Sequence, residues 1–215
     1  MSLLHAVGTG NWAWIFSRII ALTIGITVHE FAHAKFADLA GDPTPRAAGR
    51  VTLNPLAHYD LVGTTLILLF GMGWGKPVPT NPMLYRNPRR DALRVSLGGI
   101  GANLVTAALF GLVLRAGLIS SPGFQDLAFE IVLINLILAF FNLLPLYPLD
   151  GSHALVWLLP RDAAQRLGRF YQQYSMGPLL IFVMAINFVP QLVQIIFVPV
   201  SLLILVFTGQ HIQFG

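Results

Sequence analysis

The chain has 215 residues, 55% of them hydrophobic and only 10% charged, with a mean hydropathy of +0.71, which excludes an ordinary soluble domain and places it in a membrane. A net charge of +4 and a pI near 9.9 would suit a nucleic-acid partner, but the basic residues fall in short clusters between apolar stretches, as orientation determinants do, so none is expected. Without cysteine there is no disulfide, thiolate ligand or cysteine nucleophile, and any metal must be held by nitrogen and oxygen.

Residues 1–11 carry no Lys or Arg, so the basic start of a signal peptide is missing and the first apolar segment is expected to stay in the mature protein. Long apolar segments follow at roughly 11–37, 91–118, 125–146 and 174–209. The last is long enough for two spans broken between Asn187 and Gln191 around Pro190, giving five candidate helices. Residues 42–90 differ in kind, being rich in Pro, Gly, Asn and Arg, and their short apolar stretch from Leu61 to Trp74 is either a sixth helix or a re-entrant element. No linker or internal repeat is visible, so 1–215 is expected to form one membrane-embedded domain.

Charge helps to decide between these. Lys35, Arg46, Arg50, Lys76, Arg86, Arg89, Arg90 and Arg94 flank the segment on both sides, so both flanks are expected to be cytoplasmic, together with Arg161, Arg166 and Arg169. Only Arg18 and Arg115 are left toward the outside. The expected fold is an all-α polytopic membrane protein of five to six transmembrane helices, with a small re-entrant β or loop element between the first two long ones. Strand or hairpin character is expected over 43–60 and into 61–80, which requires that backbone to be buried in protein or to line a wet cavity.

The chemistry concentrates in the first helix, where His29-Glu30-Phe31-Ala32-His33 forms an HExxH pattern. Residues four apart share a helix face, so both imidazoles can ligate one Zn²⁺, while Glu30 can reach a water at the metal and act as general base. With only two glutamates and six histidines in the chain, such a pattern arises by accident roughly once in a thousand sequences. An ionisable cluster within a bilayer segment also costs a few kcal/mol and reads as functional by default. A third ligand must come from elsewhere: Asp38 and Asp42 lie nearby, and Asp150 follows two prolines at the end of the third long segment. Asp150 reads equally well as an N-cap for a helix over 151–159. If it is the ligand, it must reach the depth of His29 and His33, which argues against a crossing at 61–74.

HExxH on one membrane helix, Asn142 to Gly151 with its prolines and Leu-Asp-Gly ending, and a glycine-rich segment Gly99-Ile-Gly-Ala-Asn103 between them resemble the site-2 protease family of intramembrane zinc metalloproteases. Gly41 to Pro45, Gly49 to His58, Gly75 to Pro82 and Arg86 to Asp91 resemble its compact bacterial branch without PDZ or CBS domains. The resemblance implies one Zn²⁺ held by His29, His33 and Asp150, Glu30 as base, and Asn103 and Asn142 holding substrate backbone or shaping the site. It further implies regulated cleavage of transmembrane protein substrates in a cell (inner) membrane; the charge pattern and the shared depth of His29, His33 and Asp150 put the active site toward the cytoplasm. Ile100 departs from a proline common in the family, and both asparagines read alternatively as interhelical hydrogen-bonding groups.

A helical substrate must unwind before its carbonyls can react, and the 43–60 region is expected to pair with it as an added strand, so that proline at Val51 or Leu53 would impair cleavage. Among the other polar residues, His153 is expected on a helix surface or beside a ligand, and His5, His58 and His211 at interfaces or termini. Arg18 is expected to snorkel, with Trp12, Trp14 and Trp74 anchoring at the interface and Gly98, Gly99 and Gly101 serving helix packing. A zinc transporter or silent scaffold would not need Glu30 and would more often show two related halves. A prenyl-type membrane protease would need a second glutamate ligand, and Glu130 is placed at the opposite end of its helix.

Overall fold

The computed structural model describes residues 8–70, 75–186 and 188–212. Helix α1, Trp12–Ala40, begins where the Asn11 side chain accepts a hydrogen bond from the Trp14 amide and ends at Gly41, whose φ of +106° suits glycine. Its 29 residues extend about 44 Å at 1.5 Å per residue, more than a hydrocarbon core requires.

The following connection was expected to carry strands. Instead, 43–60 holds a single helical turn, α2 (Thr44–Ala47), and a 3₁₀ turn at Pro55–Ala57, with no strand among the described residues. Three prolines, at 43, 45 and 55, remove ladder donors, and Asp42 and Asn54 bond to nearby backbone amides in turns that compete with sheet pairing. Helix α3, Leu61–Phe70, is ten residues long, about 15 Å, half of what a crossing needs. Trp74, an expected interface anchor, lies outside the described residues.

Helix α4 (Pro88–Arg115) starts on a proline, with Asp91 in its first turn accepting from the Asn87 amide at 2.9 Å. Helix α5 (Pro122–Asn142) is followed by α6 (Asp150–Leu158), α7 (Arg161–Tyr174), α8 (Gly177–Ala185) and α9 (Pro190–Thr208). Four of these are long and apolar enough to cross a bilayer: α1, α4, α5 and the stretch Gln191–Thr208 of α9. The fifth expected span is cut short, since α8 has nine residues and extends only about 14 Å. The expected break, between Asn187 and Gln191 around Pro190, falls where α9 begins at Pro190 after α8 has ended at Ala185, with Asn187 itself outside the described residues.

Helices α1, α4 and α5 form the centre, and α9 packs against α4 and α5. Small residues let the backbones approach: Ala21 of α1 is fully buried against Ile131 and Ile134, and Ala107 of α4 sits among Val132, Leu136, Val200 and Ile204. Large apolar side chains such as Phe16, Val105, Leu109 and Leu202 stay exposed on outer faces, where lipid is their natural neighbour. Arg18 does not snorkel alone: its Nη1 donates to Glu130 Oε2 at 3.1 Å, joining α1 to α5, and its guanidinium lies over the Trp14 ring.

Candidate metal centre

Helical spacing puts His29 and His33 on one face of α1, with ring centroids 4.6 Å apart and the rings nearly perpendicular. Each Nδ1 faces an oxygen at 2.7 Å: Asn103 Oδ1 for His29 and the Val95 carbonyl for His33. The orientation of the Asn103 amide is settled by its nitrogen, which donates to the Gly25 carbonyl at 2.9 Å and to Asn135 Oδ1 at 2.8 Å. Oxygens can only accept, so both Nδ1 atoms carry hydrogen and both Nε2 atoms present lone pairs.

These two nitrogens are 3.1 Å apart, and Asp150 Oδ2 lies 3.1 Å from one and 3.2 Å from the other. With no hydrogen on either Nε2, the short N···N separation is two lone pairs facing one point rather than a hydrogen bond, and Asp150 Oδ2 is buried without a hydrogen-bond partner. Three lone-pair atoms converging in this way repel one another unless a cation sits among them. Zinc at about 2.0–2.1 Å from tetrahedrally disposed ligands calls for ligand atoms roughly 3.3–3.4 Å apart, close to what this triangle provides. The donor set fits the ion, and no other such cluster occurs among the described residues.

Asp150 reaches this position because α5 ends at Asn142 and the chain turns through Leu143–Leu149 before α6. A Cβ on Gly151 would run into the Leu143 carbonyl, so glycine is required directly after the aspartate. The Tyr171 hydroxyl, donating to the Pro145 carbonyl at 3.0 Å, braces the turn from α7. The N-cap alternative does not hold, since Leu149 is the cap and Asp150 is the first helical residue.

Helix α4 closes the site from above. A Cβ on Gly99 would fall 2.5 Å from His33 Nε2 and 2.6 Å from His29 Cε1, so this glycine leaves room for both imidazole rings. Gly98 makes way for the Phe36 ring, while Gly101 faces open space. Glu30 is half-buried, one position along from His29, and lies outside the converging triad.

The other aspartates are engaged elsewhere. Asp38 takes both prongs of Arg46 at 2.7–2.8 Å, and Asp42, fully buried, accepts from the amides of Thr44 and Asn81. His153 is exposed beside Tyr147 and is not part of the triad. His58, expected at an interface, is instead 1% exposed, its Nε2 bonded to the Thr52 carbonyl at 2.8 Å. His211 is exposed near the end of α9, and His5 lies outside the described residues.

Of the two asparagines expected at substrate, Asn103 is fully buried behind His29 and both its N–H groups bond within the protein. Asn142 is half-buried at the end of α5, its nitrogen donating back to the Leu138 carbonyl at 3.0 Å. Sequence reading passed over Asn135, fully buried and donating to the Ile131 carbonyl while accepting from Asn103. Its signal was available: an asparagine in the middle of an apolar span, seven residues and two turns before Asn142.

Comparison with known proteins points the same way. The sequence model described as Peptidase family M50 matches residues 116–186, a stretch that contains Asp150 but not the histidine pair. A Bacillus subtilis (strain 168) protein named "Putative zinc metalloprotease YwhC" is 38% identical over 152 residues, covering 66% of this chain and 68% of that protein. No solved structure matches the chain.

Proposed function

The chain belongs to peptidase family M50, the site-2 protease family of zinc metalloproteases, and from that premise we propose that it hydrolyses peptide bonds within or beside transmembrane segments of other membrane proteins. The observation that carries this reading is the convergence of His29 Nε2, His33 Nε2 and Asp150 Oδ2 among membrane-spanning helices, with a free carboxylate, Glu30, next in sequence.

In this reading His29, His33 and Asp150 hold one Zn²⁺, which when bound supplies a Lewis acid for the scissile carbonyl and acidifies water. Glu30 takes the proton of the attacking water and returns it to the departing amine. Asn103 and the Val95 carbonyl fix which nitrogen of each histidine faces the metal, and Asn135 and Gly25 fix Asn103. Asn142, with its carbonyl oxygen at the end of α5, is the better placed of the two asparagines to meet substrate backbone.

The triad lies toward the C-terminal end of α1, near the basic clusters of 46–50 and 86–94. We therefore place the site at the cytoplasmic side of a cell (inner) membrane, with α3 as a re-entrant element. Regulated cleavage of transmembrane substrates follows from the same reading. The test is to purify the protein in detergent, measure bound zinc, and compare cleavage of model transmembrane substrates by wild type and Glu30→Gln. Zinc in both and cleavage by wild type alone is the expected result; equal cleavage by both overturns the mechanism.

A further inference from the structure

Two loop segments, Gly49–His58 and Gly75–Pro82, take no part in the metal triad, yet the structure ties them to each other. Arg50 is only 4% exposed, although it is a charged residue outside the spanning helices. Its Nη1 donates to the Pro77 carbonyl at 3.0 Å and its Nη2 to the Lys76 carbonyl, so the planar fork grips two successive backbone oxygens. From the other side, the Lys76 amide donates to the His58 carbonyl at 2.8 Å. The His58 ring is itself fixed by the Thr52 carbonyl and lies against the guanidinium, with Nδ1 3.5 Å from Nη2.

This fastened backbone stands beside the proposed base. A Cβ added to Gly75 would lie 3.7 Å from Glu30 Oε1, 3.4 Å from the His58 carbonyl oxygen and 2.9 Å from Ile26 Cγ2. Burial lowers the pKa of the Arg50 guanidinium, and the charge of Glu30 acts against that. The Arg50 Nε remains buried without a partner, a cost that a surface lysine or glutamine would avoid.

We propose that Arg50 is a positioning residue for hydrolysis: with His58, it fixes the Gly75–Pro77 backbone as the wall that sets the Glu30 carboxylate. It touches neither metal nor substrate and acts through residues 75–77. The proposal rests on Glu30 being the base, so its test needs one readout that does not depend on activity.

That readout is amide hydrogen exchange of the full chain in detergent, followed over residues 75–78 by mass spectrometry. In Arg50→Gln the Lys76 amide should lose protection while bound zinc stays at the wild-type level, and kcat on a model transmembrane substrate should fall at least about tenfold with KM little changed. Arg50→Lys keeps the charge but lacks the fork, and should behave like Arg50→Gln; wild-type exchange and kcat in the lysine variant would overturn the proposal. Gly75→Ala leaves Arg50 in place and crowds Ile26 beside Glu30, so it keeps the test open if the Arg50 variants fail to fold. It should lower kcat with zinc retained, and unaltered kcat would count against the wall. Should the wild type prove unable to cleave, the proposed function falls, while unchanged exchange in Arg50→Gln would separately dispose of the clip.

Discussion

A histidine ligand is useful only if the right nitrogen faces the metal, and here the choice is made by residues far away in sequence. Asn103 is 74 residues from His29, and the Val95 carbonyl is 62 residues from His33. Replacing Asn103 with alanine removes the acceptor that holds His29 Nδ1–H. Zinc affinity in that variant should fall about 10–100-fold, read by competition with a chromophoric chelator, and unchanged affinity would show that the tautomer is fixed by other means. Gly99→Ala acts more directly, since its methyl would enter the space of both imidazole edges at 2.5–2.7 Å. The neighbours are ligand rings pinned at Nδ1, not flexible chain ends, so the expected result is protein purified without stoichiometric zinc and inactive, as metal analysis would report. The three converging residues were legible in the sequence as candidate ligands, because HExxH needs only the period of a helix, and Asp150 needed the family resemblance to prefer it over an N-cap. The groups that orient them were not, because a buried Asn or Gly looks the same in sequence whether it serves packing or a ligand.

At the scale of elements, the long apolar helices could be read directly from hydropathy, whereas the irregular parts could not. The 43–60 segment has a consecutive run of β-compatible residues only at Val51–Leu53, and its prolines and capping side chains turn it into short helical turns. Pro190 marked the division between α8 and α9, but apolar composition did not show that α8 is too short to cross, because spanning and short apolar helices share a composition. The join between α1 and α5 depends on charge that hydropathy can only penalise. Arg18 and Glu130 retain 28% and 12% side-chain exposure, so breaking the pair should cost less than the full buried-pair penalty, about 1–3 kcal/mol. Arg18→Leu and Glu130→Leu should each lower thermal stability in detergent, because each leaves one charge in an apolar setting. The double variant should recover most of the loss, and a strictly additive double loss would mean that the two side chains do not act as a pair.

For the whole molecule, the number of crossings decides where the chain ends. Helix α1 carries the triad histidines toward its C-terminal end, α4 returns, and α5 comes back to deliver Asp150 to the same depth. The α7 cations Arg161, Arg166 and Arg169 then fall on the triad side. Five full spans would return the chain to that side. The structure argues otherwise, since Arg115, at the far end of α4, donates to the Val206 carbonyl near the end of α9, and Phe207 packs on Gly111. Helix α9 therefore runs parallel to α4 and finishes at the end away from the triad, while α8, at nine residues, is too short to cross by itself. Because the chain has no cysteine, single cysteines report accessibility cleanly. Placed at Asp60, Thr80 and Gln165, they should react with an impermeant maleimide from one face of the membrane only, and at Ser120 and Gln210 from the other. Labelling of Gln210→Cys from the same face as Gln165→Cys would restore the fifth crossing, and opposite labelling of Asp60→Cys and Thr80→Cys would make the segment between them a true span.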